Sequence, residues 1–472
     1  ANNDSPLSNR GPELLLNAYG RELSCFRWVT SRKVDECGRT GAQVVPAGHI
    51  VLSSDHGKAA QMSQDDASFP GSESGGITVA LALSAIVTLP LMGPWLSGQS
   101  LRPYLEFPPL STGVVTQVAF SWPVFVGLSA LIVCLLAPFI VRVARTNSRG
   151  VSTVAGQERT PYGSVRRQCV LPHAFPWWGW GAVAWTICAW FLAWTRFEWM
   201  QPWQPHTFTP LWLGYIVVVN ALTYRSTGRC MLIHRPRYLL SLFPLSACFW
   251  WLFEYLNRFV QNWYYVGGGT LTPGEYLVRA TLPFATVLPA VLSTAEWLTA
   301  CPRLSAGLDH VVTINFSRRV WGWLLLSGAA AGLLGIGLWP DYLFPLVWVA
   351  PLLVITALQL IRNEPTIFSE TAHGDWRTLW AVALAALVCG WFWEMWNFYS
   401  LAHWQYAVPF VQGVTLFHMP LLGYAGYLPF GLECWAVADL CLARKFAGGV
   451  AYYRAAEPET DFAQRNPTVA ER

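Results

Sequence analysis

Charge is what this sequence has least of. Only 12% of its 472 residues are Asp, Glu, Lys or Arg, about half the ~25% of a soluble domain. That scarcity excludes a disordered polyelectrolyte. The net charge of +4 is too small to call for a polyanion, so nucleic acid is not an expected partner. Lysine is nearly missing: of 31 basic residues only Lys33, Lys58 and Lys445 are lysines. There is no C-x-x-C pair, no His-x-x-x-His or His-x-x-Glu-His spacing, no serine nucleophile elbow and no nucleotide fingerprint. No metal and no cofactor is therefore expected.

Apolar residues fill the place that charge leaves. They make up 53% of the chain, with 27 tryptophans and a mean hydropathy of +0.33. A helix needs about 20 apolar residues to cross the hydrocarbon core. Ten runs approach that length: 77–97, 118–141, 176–196, 210–224, 238–258, 277–299, 320–338, 341–361, 377–399 and 419–442. The expected fold is an all-α integral membrane protein of about ten transmembrane helices. Many tryptophans fall near the ends of the runs, where an indole suits the headgroup level. Pro90, Pro94, Pro123, Pro289 and Pro429 predict kinks within their helices.

Arginine placement predicts the orientation. Arg142, Arg145, Arg149, Arg159, Arg166 and Arg167 follow the second run, and Arg225, Arg229, Arg235 and Arg237 the fourth. Arg303, Arg318 and Arg319 follow the sixth, and Arg444, Lys445 and Arg454 the tenth. Both termini are thus expected in the cytoplasm, in a plasma (inner) membrane. None of the 11 cysteines falls in a predicted outer loop, so disulfides are not expected. The domain plan reads as a disordered arm over 1–75, a two-helix appendage over 76–145, a loop over 146–175, a membrane repeat over 176–300, a loop over 301–319, a second repeat over 320–442 and a tail over 443–472.

The two repeats are read from an ordered series of matches. Trp178-Gly179-Trp180 corresponds to Trp321-Gly322-Trp323, and Phe208-Thr209-Pro210-Leu211 to Leu343-Phe344-Pro345-Leu346. Cys248, Glu254, Asn257 and Trp263-x-Tyr265 correspond to Cys389, Glu394, Asn397 and Trp404-x-Tyr406. Pro283 and Glu296 correspond to Pro420 and Glu433. Helices 3–6 and 7–10 would form two parallel four-helix units, since an even number of spans returns each unit to the same side.

The glutamates are the chemical candidates, because an ionisable group within a span calls for a partner or a task. Glu254 and Asn257, like Glu394 and Asn397, stand three residues apart on one helical face, able to grip one ligand. The plainer reading pairs Glu254 with Arg258, but Phe398 occupies the corresponding place after Glu394. Glu296 and Glu433 lie deeper, where a desolvated carboxyl group suits proton relay or general-acid work; Glu296 has Arg303 as a plainer partner. Trp263, Tyr265, Trp404 and Tyr406 would form an aromatic wall for a cation or a sugar face, or simply anchor at the interface.

The Trp404-x-Tyr406 pair followed by the Pro420…Glu433 helix resembles the membrane lycopene-cyclase family, as do Trp263 to Glu296 more weakly. That resemblance implies paired acids protonating a polyene. The chain departs from the family in carrying Pro429-Phe-Gly-Leu-Glu433 instead of a proline closely followed by paired acids, and in its four-helix unit.

Three functions follow from these residues. The first is a carrier or channel-like protein, with Glu254, Asn257, Glu394 and Asn397 lining an inter-repeat site and Glu296 and Glu433 relaying protons. The second is an intramembrane enzyme acting on a lipid or isoprenoid, with Glu394 or Glu433 as general acid. The third is a structural subunit of a membrane complex. Expected partners are the bilayer, a small-molecule or lipidic ligand, and other membrane subunits.

Overall fold

A computed structural model of the chain describes residues 72–108, 117–152, 173–269, 271–314, 318–442 and 446. Nearly all of the predicted arm, most of the 146–175 loop and nearly all of the tail lie outside these residues.

Among the described residues the protein is mostly helical. The helices are α1 (Ser72–Leu96), α2 (Arg102–Leu105), α3 (Trp122–Ser152), α4 (Trp177–Trp194), α5 (Phe208–Thr227), α6 (Met231–His234), α7 (Pro236–Val260), α8 (Pro273–Phe284), α9 (Val287–Thr299), α10 (Arg318–Ile336), α11 (Pro340–Leu343), α12 (Ala350–Ile361), α13 (Arg377–Phe398) and α14 (Tyr427–Leu442). Four short strands accompany them: β1 (Trp263–Val266), β2 (His403–Tyr406), β3 (Thr415–Leu416) and β4 (Met419–Pro420). Seven helical segments are long and apolar enough to cross a membrane, and an eighth qualifies if a pair bent by 56° between Trp348 and Ala350 counts as one. The other two predicted runs fall on α4, 18 residues long, and α14, 16 residues long.

The prolines act in more than one way. Pro90 and Pro94 lie within α1. Pro123, Pro289 and Pro429, expected to kink their helices, instead fall in the first turns of α3, α9 and α14. At a helix start the missing N–H removes no intrahelical bond.

Packing sets the site. Helix α4 lies on α5, α10 on α12, α13 on α14, and α9 between α5, α7 and α13. The buried centre holds Trp212, Trp396, Phe253, Phe430 and Leu288. The appendage helix α1 packs on α10 and α12; Gly93 and Gly337 let the backbones meet, for a Cβ on either would strike the other helix. Helix α3 is fastened near its two ends. Phe410 accepts from the Ser121 N–H (2.8 Å), and Asn147 Nδ2 donates to the Arg303 carbonyl (2.7 Å). Its most apolar stretch is not buried against protein, as a helix bathed in lipid would be.

Strands β1 and β2 join 176–300 to 320–442 as an antiparallel ribbon. Trp263 pairs with Tyr406, Tyr264 with Gln405, Tyr265 with Trp404 and Val266 with His403.

Candidate functional site

The Glu-x-x-Asn motif ends a helix and grips the strand that follows it. In α7 the left-handed Gln261 (φ 50°) closes the helix, as C-terminal caps commonly do. Asn257 Oδ1 then accepts from the Asn262 N–H (2.8 Å), and its Nδ2 donates to the Trp263 carbonyl (2.8 Å). Tyr265 Oη donates to Glu254 Oε1 (2.5 Å). In α13, Asn397 bonds both the N–H (2.8 Å) and the carbonyl (2.7 Å) of Trp404, and Tyr406 Oη donates to Glu394 Oε1 (2.7 Å). The two spacings now have a cause. Successive strand residues alternate sides, so a helix that holds the backbone of one residue with its amide can meet the side chain two residues on with its acid.

The two amides are thus spent on the chain's own backbone, and Arg258 is spent elsewhere. Instead of pairing with Glu254, it donates to the carbonyls of Tyr104 (2.9 Å) and Glu106 (2.7 Å), fastening the loop after α1 to the end of α7. Tyr104 stacks on Phe259, with ring centroids 4.5 Å apart.

The acids themselves differ in what they receive. Glu254 Oε1 accepts from Tyr265, from Trp263 Nε1 (3.0 Å) and from Trp250 Nε1 (3.1 Å). Glu394 Oε1 accepts from Tyr406 and from Tyr427 Oη (2.7 Å), while its buried Oε2 has no hydrogen-bond partner within the protein. Tyr427 reaches Glu394 because Gly390, one turn earlier, presents no Cβ to its ring. The deeper pair diverges further. Glu296 accepts from Arg235 Nη2 (2.7 Å) and from the Met231 N–H (3.1 Å), so its cationic partner is Arg235 and not Arg303, because α6 and the start of α7 fold back beside α9. Glu433 is fully buried and neither of its oxygens has a partner.

Beside the ribbon lies a cavity of about 200 Å³. Trp263 and Tyr265 of β1 and Trp404 and Tyr406 of β2 share its wall, and Trp250, Trp348, Trp393 and Tyr427 extend the aromatic surface. Of the sequence-predicted residues these four strand aromatics come together at one void. No carboxylate lines it: Glu254 and Glu394 stand behind the tyrosines, and Glu296 and Glu433 are elsewhere. Tyr265 leaves 42% of its surface open while its hydroxyl is sunk against Glu254. Burial, added to by the adjoining carboxyl group, pushes both the Tyr265 and the Tyr406 phenols well above the ordinary tyrosine range. Both therefore keep their protons and act as donors. Chemically, the arrangement offers an apolar chamber edged by tyrosine hydroxyl oxygens whose protons are given to an acid behind them.

Sequence reasoning missed Tyr427 and Arg279; His403 and His418 were legible as sharing one predicted outer loop near Glu394. Tyr427 could have been found as the aromatic residue opening the helix that carries Glu433, with Gly390 as its seat. His403 and His418 stack with centroids 5.3 Å apart. Burial, then the neighbouring His403, lowers His418 below the usual histidine range. Among the described residues no group of three His, Cys, Asp or Glu is placed to hold a metal ion.

Comparison with known proteins gives no match: no family model, no curated protein and no solved structure aligns with the chain. The likeness to membrane lycopene cyclases thus rests on the aromatic and acidic residues alone.

Proposed function

We propose that this polytopic membrane protein binds a lipid or isoprenoid in the aromatic cavity beside the ribbon and acts on it through Glu394. The observation that carries this reading is the coupling of an apolar chamber to an acid through hydroxyl groups. Tyr406 and Tyr427 line the cavity and both donate to the same oxygen of Glu394. Apolar pockets with a few convergent polar groups are the usual form of a small-molecule site. Glu394 is the proton source in this reading: Tyr406 or Tyr427 turns its O–H to the ligand, gives up that proton and takes the Glu394 proton in its place, leaving Glu394 as the carboxylate to be reprotonated at the end of the cycle. Indole and phenol faces would stabilise positive charge developing on the ligand.

The same reading takes the ten apolar runs as ten spans, the arginine-rich loops and both termini as cytoplasmic, and the cavity as lying on the outer side of a plasma membrane. It takes 176–300 and 320–442 as parallel repeats. The matched Glu–Tyr and Asn–backbone bonds support this, as does a ribbon register that exchanges Trp263/Tyr406 for Tyr265/Trp404 about Tyr264 and Gln405.

A second reading, a proton-coupled carrier, draws on Glu433, whose buried carboxyl group is committed to nothing in the protein. The experiment that separates the two is extraction in mild detergent, mass spectrometry of co-purified molecules, and incubation of the purified protein with what is found. Chemical conversion in detergent supports the enzyme. A bound molecule left unconverted, but taken up by sealed proteoliposomes and not by a Glu433→Gln variant, supports the carrier.

A further inference from the structure

An arginine within a membrane span is costly unless something receives its charge. Arg279 lies in the Pro273–Thr299 span. Its ordinary partner would be Glu275, four residues earlier on the same face. Glu275 is exposed, and its Oε2 accepts from the N–H and the hydroxyl of Thr272, each at 2.9 Å, in the capping box that starts α8; it keeps its charge and acts on Arg279 through space, but forms no ion pair with it. Among the described residues Arg279 makes no hydrogen bond and no ion pair. It is half-buried and lines the aromatic cavity together with Tyr276 and Pro283 of the same helix.

The charge of the chamber follows. The two acids that would attract a cation stand behind tyrosines, and among the described residues that line the wall the one fixed charge is a guanidinium. A cation, which the indole faces alone would welcome, is repelled by Arg279. A neutral hydrocarbon leaves Arg279 as unpartnered as before. An anionic oxygen group answers it, since guanidinium donors match carboxylate and phosphate geometry.

We infer that the cavity takes an amphiphile: an apolar chain against the indoles and a phosphate or carboxylate head on Arg279. This rests on the reading of the cavity as a lipidic site and names the class of ligand within it. Arg279 is a binding residue here, with no part in proton transfer.

The test is a titration of intrinsic tryptophan fluorescence, with the full chain in phosphatidylcholine nanodiscs, using geranyl phosphate and geraniol. These share one chain and differ in the head. The phosphate should bind roughly 10- to 100-fold more tightly, the range of a hydrogen bond to a charged group, and Arg279→Gln should remove that preference while leaving geraniol binding unchanged. Equal binding of the two by the unaltered protein overturns the inference and leaves the lipidic cavity standing. Binding of neither overturns both. The comparison on the unaltered protein decides the matter even if the variant fails to fold. A preference that survives Arg279→Gln in folded protein also overturns it. Repeating the titration with phosphatidylglycerol in the nanodisc identifies the source of the head. Competition assigns it to a bilayer lipid and lack of competition to a single-chain amphiphile, and either result supports the shared chemistry.

Discussion

Glutamates at corresponding spacings in 176–300 and 320–442 differ in what they receive: Glu254 and Glu296 together accept five hydrogen bonds, Glu394 and Glu433 two. Glu254 accepts three bonds on one oxygen and Glu296 holds an arginine and a backbone N–H. Glu394 leaves one oxygen uncommitted and Glu433 leaves two. A buried polar group without a partner costs stability, and such costs are tolerated most readily where they serve chemistry. The contrast is one of degree: the acids of the first stretch are held by more of the protein than those of the second, and under the proposed function that makes Glu394 and Glu433 the ones to test.

The sharpest way to break that contrast is to neutralise one acid from each stretch. Glu394→Gln should lower turnover of the bound ligand by about 100-fold or more, the usual weight of a general acid. Glu254→Gln should cost less than about tenfold, which steady-state rates in detergent would separate. Equal losses would end the contrast.

Stability should show the opposite ranking. Arg235→Met strands Glu296 and should cost about 3–5 kcal/mol, as breaking a buried ion pair does. Glu433→Gln exchanges one unpartnered buried polar group for another of the same shape and should change stability by about 1 kcal/mol at most. Denaturation in matched micelles checks both.

A smaller effect sharpens the role of Tyr427. Gly390→Ala pushes a methyl group into the tyrosine ring, and overpacking of this kind costs about 1–3 kcal/mol. Activity should fall with it if Tyr427 orients Glu394, whereas Gly328→Ala, on a helix face with open space beside it, should change neither.

The smallest effect concerns His418. Its value in the folded loop lies below that of the unfolded chain, so the unfolded state takes up the proton more readily. Stability from this residue is full above about pH 6.5 and is lost as pH falls through that value. Hydrogen exchange across 403–420, corrected for intrinsic rates, should quicken at about pH 5.5 relative to pH 7.5.

Much of the architecture was legible because a bilayer imposes one length on every span. Seven of the ten runs fall on helical segments long and apolar enough to cross a membrane and an eighth on a bent pair, while the other two fall on α4 and, in part, on α14. The ends were harder. That Pro289 and Pro429 fall in the first turns of α9 and α14, and not in helix interiors, depends on where each helix starts, which apolar runs do not mark. Glu254, Asn257, Trp263 and Tyr265 were legible as a group by spacing, as were their counterparts in the second stretch. Their meaning was not, because Asn257 and Asn397 serve the backbone of a ribbon that no alternation in the sequence announces. Arg235 as the partner of Glu296, and Tyr427 as that of Glu394, are long-range contacts set by how helices fold back beside one another.

The ribbon has a mechanical consequence. Backbone hydrogen bonds between β1 and β2 tie the two stretches together at the end where the cavity lies. Pulling them apart there means breaking those bonds as a set. Rotation about the ribbon breaks none. If the two stretches move against each other, the ribbon is their pivot, and the far end, around Glu296 and Glu433, sweeps the longer arc.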